Sequence, residues 1–142
     1  MLTDGDVTDF SLVRRTIKEA CEKFDVRQIN FDDRFAEAFC QQLKDDDGLP
    51  VVDFAQTPGN YNEPSFMLER LVMEGNLHHN GNTVLNWMAG NLNLKKGMPC
   101  KPDTENYKKI DGMTALIMGL ASAMTIDPTE STWCSEAGSL AF

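Results

Sequence analysis

Val26-Arg27-Gln28-Ile29-Asn30-Phe31-Asp32-Asp33 is the stretch on which the fold turns. Its β-branched and aromatic residues predict a strand over Val26–Phe31, with an acidic pair at the strand's carboxyl end. Phe35, Ala38, Phe39 and Leu43 follow at helical spacing, and the run Asp45-Asp46-Asp47-Gly48 closes that helix in a turn. Leu49–Phe54 then predicts a second strand. Strand, helix and strand with short connections argue for an α/β fold of parallel strands with flanking helices. Two such strands are too few for a complete sheet of that kind. Sites in open parallel sheets form outside the carboxyl ends of the strands, where Asp32 and Asp33 stand.

Upstream, Phe10, Val13, Ile17, Cys21 and Phe24 mark one face of a first helix, with Arg14, Arg15, Lys18 and Glu22 mostly on its other faces. Downstream, Gln56–Asn62 is dense in turn residues and reads as a loop. Pro64 suits the first turn of a third helix, whose apolar positions Met67, Leu68, Leu71 and Val72 end before Gly75. Asn76–Asn82 reads as a polar loop or short strand, and Thr83–Met88 opens a fourth helix. Leu92, Leu94, Lys96 and Met98 alternate with other residues, which predicts an extended piece turning near Gly97. Finally, Lys108-Lys109-Ile110-Asp111-Gly112 opens the run Met113, Leu116, Ile117, Leu120 and Met124, a helix from about Lys109 to near Pro128. Residues 129–142 lack periodicity and are expected to form a mobile tail after one domain over 1–128, with Trp133 docking back.

At 142 residues and 42% hydrophobic content the chain suits one modest core. No apolar run is long enough to span a bilayer and no signal-peptide pattern opens the sequence, so a cytoplasmic protein without membrane contact is expected. The four cysteines are scattered without a C-x-x-C pair, which suggests neither a zinc site nor a disulfide framework. A net charge of −9 is not that of a protein gripping DNA through an overall basic surface. It fits a carboxylate site for a metal ion, or a domain held on nucleic acid by other domains or subunits, and it is also common among ordinary soluble proteins.

The candidate chemistry rests on carboxylates. Phosphodiester hydrolysis calls for clustered carboxylates that hold divalent cations, and Asp32 and Asp111 each stand where one is useful. An Asp immediately before a helix is equally a favoured N-cap, so these positions have a purely structural reading as well. His78 and His79 point oppositely in an extended piece, so at most one would reach a site.

Several separated blocks carry a resemblance. Ile29–Ala36, Phe54-Ala55-Gln56, Pro64–Val72, His79–Met88 and Lys108–Gly112 resemble, in order and spacing, the nuclease region of tailed-phage terminase large subunits. The likeness runs from about Thr3 to Thr125, and its most specific parts are the His79–Met88 and Lys-Ile-Asp-Gly blocks. It implies a partial ribonuclease-H-like fold whose acidic cluster binds Mg2+ or Mn2+ and cuts concatemeric double-stranded DNA during genome packaging.

By that resemblance Asp32 and Asp111 are the catalytic metal ligands, with Asp33 the neighbour that caps the helix. Gly112 would let the backbone or a phosphate approach closely. Lys101, Lys108, Lys109 and His79 are candidate nucleic-acid contacts, and a solvated face or a structural histidine explains them as well. Portal protein, the terminase small subunit and the terminase ATPase domain are the implied partners, in a bacterial host cell carrying a phage or prophage.

Against the family pattern, the amino-terminal antiparallel strands with their essential aspartate are expected to be missing, and no G-x-x-x-x-G-K-[ST] phosphate loop occurs. The chain thus reads as a carboxyl-terminal part whose metal site is incomplete, predicting weak cutting by itself and self-association through an open strand edge. The alternative function is a non-catalytic remnant or docking module that binds other packaging-motor proteins.

Overall fold

The structure is a computed structural model, which describes residues 9–102, 107–125 and 140–141. The chain divides into two units, Met1–Asp53 and Phe54–Phe142.

In the first unit, α1 spans Phe10–Lys23, and the Asp9 carboxylate accepts the Ser11 and Leu12 amides at its start. β1 (Ile29–Phe31) and β2 (Val51–Asp53) pair in parallel, Phe31 opposite Asp53, across the intervening helix α2 (Asp33–Asp45). This is the predicted strand–helix–strand unit, with both strands shorter than their propensities suggest. Cys40 and Leu43 of α2 and Val51 of β2 are buried together, with Ile29, Phe31 and Phe39 packed around them. Burial raises the pKa of the Cys40 thiol.

No residue of α1 is fully buried. Its attachment comes from Ile17 beside that core, the Phe10 and Phe39 rings 5.0 Å apart, and charge. Arg14 Nε and Lys18 Nζ reach the two oxygens of Asp47 at 2.6 and 3.0 Å. Only 5% of the Asp47 side chain is exposed, and hydrogen bonds from Arg14 and Lys18 hold its pKa at about 2.

The second unit is built on α3 (Pro58–Met73) and α5 (Asp111–Ala123). Here the structure corrects two expectations. Pro58–Asn62 is helix rather than loop, and Pro58, not Pro64, occupies the first turn, so Pro64 lies inside the helix and is buried. The cause is Tyr61, which is wholly buried beside Phe54 and donates its hydroxyl proton to Gln56 Oε1. Tyr61 and Leu68 fall seven positions apart on one face, and Thr57 caps the earlier start through the Asn60 amide. Gly75, at φ +70°, ends α3: its amide bonds the Val72 carbonyl and that of Asn76 bonds Leu71, the paired bonds of a Schellman motif.

Beyond α3, β3 (Leu77–His78) pairs in parallel with β6 (Leu140–Ala141). The tail expected over 129–142 otherwise lies outside the described residues, as does Trp133. α4 (Thr83–Asn91) is capped by the Asn82 side chain. β4 (Asn93–Lys95) and β5 (Met98–Cys100) form an antiparallel hairpin whose two-residue turn, Lys96-Gly97, has φ of 54° and 77°. Two positive φ values make it a type I′ turn, matching the strands' twist. α5 ends at Ala123, short of Pro128, where the Thr125 hydroxyl donates to the Ser122 carbonyl at 2.8 Å. Met113, Ile117, Met118 and Leu120 of α5 close on Tyr61, Leu68 and Leu71 of α3.

Candidate active site

Asp32 and Asp111 belong to different units. Asp32 follows the last residue of β1 and precedes the first of α2, half-buried. Asp53 ends β2 in register with Phe31, so the carboxyl end of the parallel pair carries a carboxylate on each strand or just beyond it. Asp53 and Phe31, with Glu37, Cys40, Gln41 and Lys44, also line a cavity of about 280 Å³.

Asp111 is the first residue of α5 rather than its cap. The N-cap is Ile110, which supplies no side-chain hydrogen bond, and the Ile110 carbonyl accepts the Thr114 amide at 2.9 Å. Among the described residues the exposed Asp111 carboxylate holds no hydrogen bond or ion pair. The capping explanation therefore does not account for this residue, whose oxygens stand at the surface at the amide-rich end of a helix.

Two contacts from α4 fix the position of that helix start. The Asn91 side chain, buried at the end of α4, donates to the Lys109 carbonyl at 3.1 Å. Gly112 lies against α4: a Cβ there would sit 3.0 Å from Met88 Sδ and 3.2 Å from Leu85 Cδ1. The Gly112 amide also points to that sulfur, 3.2 Å away. The close approach anticipated at Gly112 is thus made by the α4 side chains.

Lys108 and Lys109 flank Asp111 in the same anchored segment, Lys109 exposed and Lys108 half-buried. Lys101 is exposed just beyond β5. His79 is exposed too, and its Nδ1 accepts the Gly81 amide at 3.1 Å, which leaves Nε2 for any other contact. Asn91 is the residue the sequence did not single out, because nothing local distinguishes it from the chain's other asparagines.

Carboxylate oxygens are hard donors that suit Mg2+ or Mn2+. Among the described residues no group of three or more His, Cys, Asp or Glu side chains gathers into a cage. One or two carboxylates suit Mg2+ nonetheless, since that ion keeps waters and takes substrate phosphates into its coordination. Among the described residues no helix is long and apolar enough to cross a membrane.

The family model described as terminase large subunit, endonuclease domain matches residues 2–127. Protein YmfN of Escherichia coli (strain K12) is 31% identical over 92% of this chain. The terminase large subunit of Enterobacteria phage HK97 is 30% identical over 85%. The crystal structure of the HK97 large terminase superposes on 84% of the chain with a TM-score of 0.69 and 28% identity. The chain spans 30% of the length of YmfN, 25% of the HK97 subunit sequence and 26% of the crystallised chain. A match over nearly all of its length means that the chain belongs to the family of terminase large subunit endonuclease domains.

Proposed function

We propose that the chain is part of a metal-dependent DNA endonuclease, of ribonuclease-H-like fold, that cuts concatemeric DNA during phage genome packaging. The observation that carries the reading is Asp111, an exposed carboxylate that opens a rigidly placed helix without serving as its cap. It stands within the Lys-Ile-Asp-Gly block of the matched region.

In this reading Asp32 and Asp111 would each be a ligand of Mg2+ or Mn2+, which would supply an activated water and neutralise charge on the departing oxygen. Asn91 and Gly112 position the backbone on either side of Asp111. Lys101, Lys108 and Lys109 attract the phosphate backbone, and His79 can donate from Nε2 to a phosphate oxygen. Portal protein, terminase small subunit and an ATPase domain are the partners of this reading, inside the host cell. Among the described residues β1 and β2 pair only with each other, which supports self-association through their outer edges.

A manganese-dependent plasmid-nicking assay tests the reading, run on this chain, on Asp111→Ala and on a longer chain carrying additional upstream residues. Nicking that is weak here, strong in the longer chain and abolished by Asp111→Ala is the expected result. Equal cutting by the longer chain without Asp111 would sink the assignment.

A further inference from the structure

Charge is distributed unevenly along the second unit. Over residues 76–102 and 107–110 the sequence carries five lysines (Lys95, Lys96, Lys101, Lys108 and Lys109) and no Asp or Glu, in a chain of net charge −9. The intervening Asp103 and Glu105 lie outside the described residues and leave the whole interval positive. Two of these lysines occupy the tip of the β4–β5 hairpin. Lys95 is the last residue of β4, Lys96 the first turn residue, and both are exposed.

The hairpin is braced at both ends. At its tip Gly97 packs so tightly on α3 that any Cβ would collide with the Asn62 side chain. At its base, β4 starts two residues after Asn91, whose amide grips the Lys109 carbonyl in the segment leading to Asp111. Lys101 stands just after Cys100, the residue that pairs with Asn93 at that base. The lysines thus run from the start of α5 to the tip of a stiff arm, about 10 Å long at a strand's rise per residue. A DNA duplex presents about six phosphates over that length.

We propose that the β4–β5 hairpin is a phosphate-gripping arm, with Lys95 and Lys96 holding the backbone of double-stranded DNA independently of sequence while Asp111 addresses the scissile phosphate. This rests on the endonuclease reading for the role of Asp111, and adds a binding element that works without the metal. Lysine ammonium groups are point charges suited to phosphate rather than to reading base edges, so the arm contributes affinity and orientation.

The type I′ turn makes a clean test available. Asn-Gly is the favoured pair for that turn, so Lys96→Asn removes a charge while suiting the left-handed backbone at position 96. Combined with Lys95→Gln it neutralises the tip without unfolding the hairpin. Binding to a short duplex is measured by fluorescence anisotropy in EDTA, over a range of salt, for the full chain, the double variant, and Lys44→Gln of α2 as a charge control. The double variant is expected to bind more weakly and to flatten the plot of log K against log salt by about 1.8, or 0.9 for each lost phosphate contact.

Lys44→Gln is expected to leave the slope unchanged. An unaltered slope in the double variant, an equal loss in Lys44→Gln, or no duplex binding by the full chain at low salt overturns the proposal. The nicking assay reports separately on Asp111. Loss of manganese-dependent cutting in Asp111→Ala beside an unaltered hairpin slope would leave the endonuclease reading standing and remove the arm. Undiminished cutting by Asp111→Ala beside a flattened slope would do the reverse.

Discussion

The buried side chain of Asn91 donates to the carbonyl of Lys109 at 3.1 Å, joining the end of α4 to the residue two positions before Asp111. One hydrogen bond thereby couples a structural asparagine to the candidate metal ligand. Replacing Asn91 by Leu removes the donor and leaves a carbonyl without its partner in a partly buried place. The expected cost is about 1 to 3 kcal/mol, read as a lower denaturation midpoint at constant m-value. Unchanged stability would show that water replaces the bond without penalty.

Gly112→Ala sets two effects against each other. A methyl group favours helix by about 0.5 to 1 kcal/mol. Here it would also stand 3.0 Å from Met88 Sδ and 3.2 Å from Leu85 Cδ1, and forced repacking costs about 1 to 3 kcal/mol. The clash is expected to win, with net destabilisation of about 1 kcal/mol that Met88→Ala partly relieves in the double variant. Equilibrium unfolding of the four proteins of this cycle decides it, and additive effects would count against the close contact.

Asp111→Ala separates a cap from a ligand. Loss of a capping side chain costs about 1 kcal/mol and up to 2. An Asp at the first helical position with no cap bond contributes only its interaction with the helix dipole, about 0.3 to 1 kcal/mol and screened by salt. The variant should therefore unfold near the parent midpoint at high salt while losing manganese binding, measured by calorimetric titration. A midpoint drop that persists in high salt would reinstate the capping role.

Asp47 predicts a specific acid response. Its folded pKa of about 2 lies below the ordinary value of 3.8, because Arg14 and Lys18 bond the ionised form. A depressed carboxylate adds stability that is complete above the unfolded pKa and is lost as pH falls through the folded one. The window is therefore from about pH 4 down to about pH 2. Asp47→Asn should flatten the fall in melting temperature over that interval relative to the parent. In hydrogen exchange near neutral pH, the variant should lose protection first in α1, which buries no residue fully and depends on this pair. Parallel pH profiles would mean that the ion pairs do not hold α1.

Much of this arrangement was legible in the linear chain, because short-range patterns carried it. The spacing of Phe35, Ala38, Phe39 and Leu43 marks α2, the flanking β-branched runs mark β1 and β2, and alternation around Gly97 marks the hairpin. The Met113, Leu116, Ile117 and Leu120 spacing places Asp111 at the opening of α5. The matching blocks, taken in order, were enough to indicate the family, because a set of separated motifs is more restrictive than any one of them.

Tertiary structure decided what depends on partners distant in sequence. Pro58–Asn62 carries turn-forming residues, yet it is helical because Tyr61 has a buried place beside Phe54 and across from α5. Asn91 and Gly112 matter only because α4 lies against the start of α5. Asp47 looked like one acid in a solvated run, and two cations from α1 make it distinct from its neighbours. The capping expectation at Asp111 gives way as well. Sequence alone places it at a helix start, where capping is the ordinary expectation, and only the backbone shows Ile110 in the cap position and the Asp111 carboxylate left at the surface. Periodicity and turn chemistry are local and can be read along the chain, whereas burial and close approach exist only once distant segments have met.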